Sequence, residues 1–158
     1  NVVRVRTTEE MREAFERELT GRHDIIISTA AAQDFTVERP TEQKLKHSEP
    51  VAIKLVPAPR VLDVARKLAP KAFIVGFKAE YRATDEQLLE AAKGKLHENE
   101  LDMVVANDVS RPGAGFGGDT NDVIIVTPSG QRRMSSSKAE IANAILDAAV
   151  AKLRGQVR

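Results

Sequence analysis

The chain has 158 residues, 42% hydrophobic and 30% charged, the composition of one folded domain that buries roughly two thirds of its unfolded surface. Lysines and arginines number 24 against 23 aspartates and glutamates, which excludes a surface built throughout to meet a nucleic-acid backbone. There is no cysteine, hence no disulfide framework and no thiolate chemistry, and no apolar run approaches the ~20 residues of a membrane span.

Val2 to Arg6 alternates apolar and basic residues as a half-exposed strand does, and Thr7 or Thr8 then caps a helix running to about Thr20, with Met11, Ala14, Phe15 and Leu19 on one face. The opening residues carry neither an initiator methionine nor a signal-peptide pattern, so the chain is expected to be a piece of a longer protein. Asp24 to Thr29 is a short apolar run ending in small residues, the mark of a central parallel strand.

The rhythm then breaks. Between Ala30 and Pro57 no helix of useful length is encoded. Lys44-Leu-Lys46 and Val51 to Val56 flank Ser48-Glu-Pro50 as two arms of a hairpin, with Val51, Ile53 and Leu55 on one face and Lys54 on the other. Such an arm needs cover for its apolar face, and a symmetry mate supplies it, so a homodimer through the 42–57 hairpin is expected.

Beyond it the alternation of helix and strand resumes: a helix from Arg60 to Leu68, a strand from Ala72 to Gly76, a helix from Thr84 to His97 and a strand from Leu101 to Ala106. Asp122 to Thr127 and Gln131 to Met134, joined by Pro128-Ser-Gly130, form a second hairpin. Ser137 to Leu153 closes the chain as an amphipathic helix, leaving 154–158 as a frayed tail after a 1–153 domain. The sum is an α/β fold: an open, mainly parallel sheet with a terminal antiparallel hairpin.

Open parallel sheets bind ligands beyond the carboxyl ends of their strands. Three ends here finish alike, small residues followed by polar ones: Ser28-Thr-Ala-Ala-Ala-Gln-Asp34, Gly76-Phe-Lys-Ala-Glu80 and Ala106-Asn-Asp-Val-Ser110. Small residues admit a ligand close to the backbone, and the Asn, Asp and Glu supply donors, acceptors and a magnesium ligand. The same residues also serve as ordinary loop starts and helix caps.

The glycine-rich stretch Ser110 to Asn121 lacks the lysine of a P-loop and no helix follows it, so it reads equally as a lid or as a flexible connection. Lys44 and Lys46, two apart in an extended segment, point to one side and can grip a polyphosphate; a solvated basic edge has the same spacing. The histidines, at 23, 47 and 97, have no metal-ligand spacing.

Ala30-Ala-Ala-Gln-Asp-Phe35, Lys44-Leu-Lys46, Gly76-Phe-Lys-Ala-Glu80, Ala106-Asn-Asp-Val-Ser110 and Gly115-Phe-Gly-Gly-Asp-Thr-Asn121 together resemble the successive motifs of phosphopantothenoylcysteine synthetase, the ligase domain of the bifunctional coenzyme A biosynthesis protein. The resemblance runs in order from about Val2 to Leu153. It implies a Rossmann-like dimer with helices on both sheet faces that joins 4'-phosphopantothenate to L-cysteine, using magnesium and CTP, with ATP the alternative. The route it implies is an acyl-nucleotide that forms with loss of pyrophosphate and is then attacked by the cysteine amine.

By motif position the resemblance gives Lys44 and Lys46 to the triphosphate. His47 stands where the family's basic K-x-K-K segment has its last lysine. Ala30, Ala31 and Asp34 are expected to meet the nucleotide, with Asp34 a magnesium or ribose ligand. Phe77, Ala106, Asn107 and Asp108 are expected to line the base pocket, and Lys44 and Asn107 are the residues assigned to catalysis. Family members begin with a glycine-rich turn and an Asn-x-Ser-Ser-Gly segment that this sequence lacks, so a non-catalytic nucleotide-binding and dimerisation fragment is the alternative. FMN enters only if a decarboxylase domain is fused upstream. A cytoplasmic location is expected, with no nucleic acid or membrane as partner. A nicotinamide-dependent oxidoreductase would need a glycine fingerprint and an acidic ribose partner, and neither is present.

Overall fold

The computed structural model describes residues 1–39, 41, 50–111, 113 and 117–156. Helix α1 spans Thr8–Glu18 and is closed at its start by a capping box: Thr7 Oγ1 accepts from Glu10 N, and the Glu10 carboxylate accepts from Thr7 N. β1 (Ile25–Ser28), β4 (Phe73–Glu80) and β5 (Met103–Asp108) are the apolar runs read from the sequence. They lie side by side and parallel, Ser28 opposite Gly76 and Gly76 opposite Val104.

β6 (Thr120–Thr127) returns antiparallel against β5, and β7 (Gly130–Ser137) folds back on β6 through Pro128 and Ser129. The order is therefore β1-β4-β5-β6-β7, in which only β6 runs against the others. α2 (Val61–Leu68) and α3 (Asp85–Glu98) connect the parallel strands, and α4 (Lys138–Gln156) follows β7 directly.

Alternate side chains of each strand go to opposite faces. On one face Ile26, Ile74, Val104 and Ala106 pack under Leu19, Leu62, Ala65, Leu88 and Ala92, so α1, α2 and α3 cover it. On the other Phe73, Val75, Met103, Val105 and Ile125 pack under Ile141, Ile145 and Ala149 of α4. Helices thus lie on both faces, the expected Rossmann-like arrangement.

The amino ends of the strands are tied by one guanidinium. Arg66 donates to Asp102 Oδ2 at 2.7 Å, to Glu100 O at 2.8 Å and to the carbonyls of Pro70 and Ala72, both at 3.1 Å. Asp102 Oδ2 also accepts from Ile74 N at 2.9 Å. This joins the end of α2 to the starts of β4 and β5.

Four sequence expectations change. Val2 to Arg6 forms no strand, and Val2, Val3 and Val5 are exposed, because among the described residues no neighbouring strand takes up the segment's backbone groups. The arm is paired lower than expected: β2 (Phe35–Val37) with β3 (Leu55–Pro57), antiparallel. Residues 51–54 are outside any strand, although Glu38 N still bonds Lys54 O at 3.0 Å, and the expected partner segment Lys44 to Lys46 lies outside the described residues. The final hairpin is longer than its apolar core, since Thr120 to Asp122 find ladder partners in Ser135 to Ser137. Helix α4 continues to Gln156, beyond the expected end at Leu153.

Candidate functional site

Because β1, β4 and β5 are adjacent and parallel, their carboxyl ends deliver the three small-then-polar segments to one rim. β7 runs the same way, so α4 also begins at that rim, capped by Ser137 and Glu140. Strand parity then divides the rim in two. Phe77 packs toward α4 and Asn107 shares that parity, its neighbour being Val123 of the same cluster. Lys78, Ala106 and Asp108 belong to the α1–α3 side.

Asn107 is half-buried, and its Nδ2 lies 3.4 Å from Asn121 Oδ1, which also accepts from Asp122 N at 3.0 Å. An ordered amide is thereby presented beside Phe77. Ala106 is wholly buried in the α1–α3 core, so its side chain packs under the rim rather than on it. Asp108 is buried at 3% exposure. Its Oδ1 accepts from Ser110 Oγ at 2.7 Å, Ser110 N at 2.9 Å and Arg82 N at 3.0 Å. The Ser110 bonds first, then the Arg82 amide and the Arg111 charge, hold this carboxyl below the usual range. Asp108 is therefore a brace between two rim loops, and it fixes Arg82 in a left-handed conformation at φ 56°.

Ala30 and Ala31 line a cavity of about 690 Å³ whose opposite wall is the amino end of α1, with Arg6, Thr7 and Thr8. Thr36 and Pro57, at the root of the arm, close its third side. Asp34 stands next to the arm, its carbonyl accepting from Ala58 N at 2.9 Å, with its side chain exposed. Among the described residues no three His, Asp or Glu side chains gather around a common point. One exposed carboxylate fits a magnesium ion held chiefly by substrate phosphates and water, which is how this ion commonly binds, and does not fit an all-protein cage. Lys44, Lys46 and His47 lie outside the described residues.

One cluster escaped sequence reasoning. Arg111, just before the glycine-rich stretch, donates to Asp85 Oδ1 at 2.6 Å and Asp122 Oδ2 at 3.2 Å. Arg133 of β7 donates to Asp122 Oδ1 at 2.9 Å and Asp85 Oδ2 at 2.5 Å, and Ser135 Oγ to Asp122 Oδ1 at 2.6 Å. Arg133 first, then Ser135 and Arg111, hold the Asp122 carboxyl far below its ordinary value. The root of the stretch is thus clamped to α3 and to the hairpin. The two-residue turn at Pro128 and Ser129 was the available signal, since it sets Asp122 opposite Ser135 with Arg133 on the diagonal.

A family model described as the DNA/pantothenate metabolism flavoprotein C-terminal domain matches residues 1–153. The chain belongs to that family. Among curated members of the DNA/pantothenate metabolism flavoprotein C-terminal domain family, the coenzyme A biosynthesis bifunctional protein CoaBC of Thermococcus kodakarensis is 35% identical over 149 residues, 93% of this chain and 36% of the relative. The protein of the same name from Methanocaldococcus jannaschii is 41% identical over 130 residues, 82% of this chain and 32% of the relative. The chain therefore spans about a third of the length of these relatives.

Solved structures share the family fold. A DNA/pantothenate metabolism flavoprotein from Streptococcus pneumoniae superposes with a TM-score of 0.79 at 19% identity, over 94% of this chain and 71% of that one. A Cab2 mutant in complex with phosphopantothenate-cysteine gives 0.62 at 22% identity, over 82% and 44%. At such identities the likeness speaks for the fold alone.

Proposed function

We propose that this chain is the phosphopantothenoylcysteine synthetase portion of a coenzyme A biosynthesis protein, a cytoplasmic ligase that joins 4'-phosphopantothenate to L-cysteine. The observation that carries the reading is the convergence of three parallel strand ends, with their small-then-polar segments, on one rim in a chain whose curated relatives are named for coenzyme A biosynthesis.

A carboxylate is a poor acyl donor, so it is first activated: its oxygen attacks the α-phosphorus of CTP, pyrophosphate leaves, and the cysteine amine then displaces CMP. ATP is the competing co-substrate. Ala30 and Ala31 let the nucleotide approach the backbone, Phe77 and Asn107 hold the base, and Lys44 and Lys46 neutralise charge on the departing pyrophosphate. Asp34 would help hold a magnesium ion, which would add to the neutralisation of that charge. Asp108 acts indirectly, by setting the loops at Arg82 and Ser110. FMN belongs only to a decarboxylase domain fused in the parent protein.

Phe35, Val37, Ile53 and Leu55 expose large apolar side chains along the arm, which supports a homodimer through the 42–57 segment. A second reading is a nucleotide-binding and dimerising portion without turnover of its own. Pyrophosphate release separates the two. Release that needs phosphopantothenate, CTP and magnesium, with product formed on adding cysteine, is expected of the ligase. No release under any of these conditions sinks that reading.

A further inference from the structure

Two side-chain amides meet where β5 reaches the rim. Asn107 lies opposite Val123 in the ladder, and Asn121 sits two residues nearer the rim on β6, on the diagonal. One terminal atom of the Asn121 side chain lies 3.0 Å from Asp122 N and 3.4 Å from the Asn107 amide. A backbone N–H can only donate, so that atom is the oxygen, Oδ1. An amide oxygen only accepts, so the Asn107 atom turned toward it is the nitrogen, Nδ2. A single backbone group therefore decides which way round both amides lie.

That backbone group is itself held in place. Asp122 lies opposite Ser135 in the ladder with β7, and its carboxylate accepts from Arg111 at 3.2 Å and from Arg133 at 2.9 and 2.5 Å. The clamp fixes the Asp122 peptide, the peptide orients Asn121, and Asn121 orients Asn107. The oxygen and nitrogen of a planar amide diverge, so with Nδ2 turned toward β6 the Asn107 oxygen turns toward β4. Ala79 is the ladder partner of Asn107 on that side, with Phe77 before it on the same strand face. Ala79 is exposed and carries only a methyl group, which leaves room for a ligand beside Phe77.

We infer that Asn121 is a positioning residue for ligand recognition: it holds Asn107 with the amide oxygen toward the ligand, so that the rim selects a group bearing an N–H donor. The inference rests on the reading of Phe77 and Asn107 as ligand contacts. Two ligands of the proposed reaction offer such a donor, the nucleotide through the exocyclic amine of cytosine or adenine, and 4'-phosphopantothenate through its amide N–H. Uracil carries a carbonyl oxygen where cytosine carries its amine, so it would set one acceptor against another. An Asn107 amide turned the other way round would reverse that choice.

Calorimetry with magnesium present reads two binding ratios: CTP against UTP, and 4'-phosphopantothenate against the analogue with an ester oxygen in place of its amide N–H. The parent should prefer the donor-bearing ligand in one pair. A preference in the first assigns the donor to the base, and a preference in the second assigns it to the acid. Asn121→Ala lets the Asn107 amide turn round and should reduce that preference about fivefold. Asn121→Asp keeps an oxygen for both N–H groups, and its added charge weakens all these anions alike, so the preference should be retained. Loosened packing would lower the melting temperature and the affinity for every ligand together, leaving the ratios where they were. Asn143→Ala removes an amide from the exposed face of α4 and should change neither ratio. A parent that binds without preference in either pair, a preference that survives Asn121→Ala, or one lost equally in Asn121→Asp overturns the inference and leaves the proposed function standing. A parent that binds neither CTP nor 4'-phosphopantothenate overturns both.

Discussion

Replacing Gly76 with valine tests how tightly the face beneath the rim is packed. An ideal Cβ at Gly76 would stand 2.7 Å from Leu101 Cδ1, about 0.7 Å inside the 3.4 Å at which ordinary contact begins, and 3.5 Å from Leu62 Cδ1. Leu101 is 4% exposed and Leu62 9%, so neither can swing clear, and the two γ-carbons of valine add to the conflict. Overpacking of this kind costs about 1–3 kcal/mol, here near the upper end. Restricting the unfolded chain by losing a glycine returns about 0.4–1 kcal/mol. A net loss of about 2 kcal/mol lowers the melting temperature by roughly 4–8 °C for a chain of this size. Gly94 is the control. It lies inside α3 with nothing within 4 Å of its Cβ position, so Gly94→Ala should raise stability by about 1 kcal/mol. Differential scanning calorimetry reads both. If Gly76→Val melts within a degree of the parent, or if combining it with Leu101→Ala costs the full sum of the two single changes, the packing argument is wrong.

Three further changes probe other parts of the molecule. Asp122 has a folded pKa below its unfolded value, so its clamp stabilises fully above about pH 4 and that stability is lost as the pH falls; urea midpoints measured down to pH 2 should fall more steeply for the parent than for Asp122→Asn. Thr84 caps α3, its Oγ1 accepting from Gln87 N at 3.2 Å, so Thr84→Ala should cost about 1 kcal/mol without altering oligomeric state, and an unchanged melting curve would discount the cap. Ile53→Asp with Leu55→Asp should convert a dimer to monomer by light scattering with little change in far-ultraviolet circular dichroism; a dimer that persists removes the arm from the interface.

The parallel strands were legible because a strand covered on both faces must be apolar throughout, and Asp24 to Thr29, Ala72 to Gly76 and Leu101 to Ala106 have that pattern. The cap of α1 was legible as Thr7 or Thr8, whereas Thr84 was read only as the start of α3, although Gln87 three residues on carries the capping-box signal. Val2 to Arg6 misled because alternation records a half-exposed segment and not whether a partner strand lies beside it. The strand Phe35–Val37 was missed because it pairs across some twenty residues, and no local turn signal sets that register. Strand parity could have separated Phe77 and Asn107 from Ala106 and Asp108, since odd and even positions face opposite sides.

Arg66 binds four acceptors at the end of the sheet remote from the rim. Keeping the strands in step is thereby assigned to one pole of the molecule, and the rim proposed to meet ligands lies at the other. A lineage carrying such a division of labour can exchange residues around Phe77 or Asn107 without loosening the strands, because the opposite pole keeps them aligned through the trial.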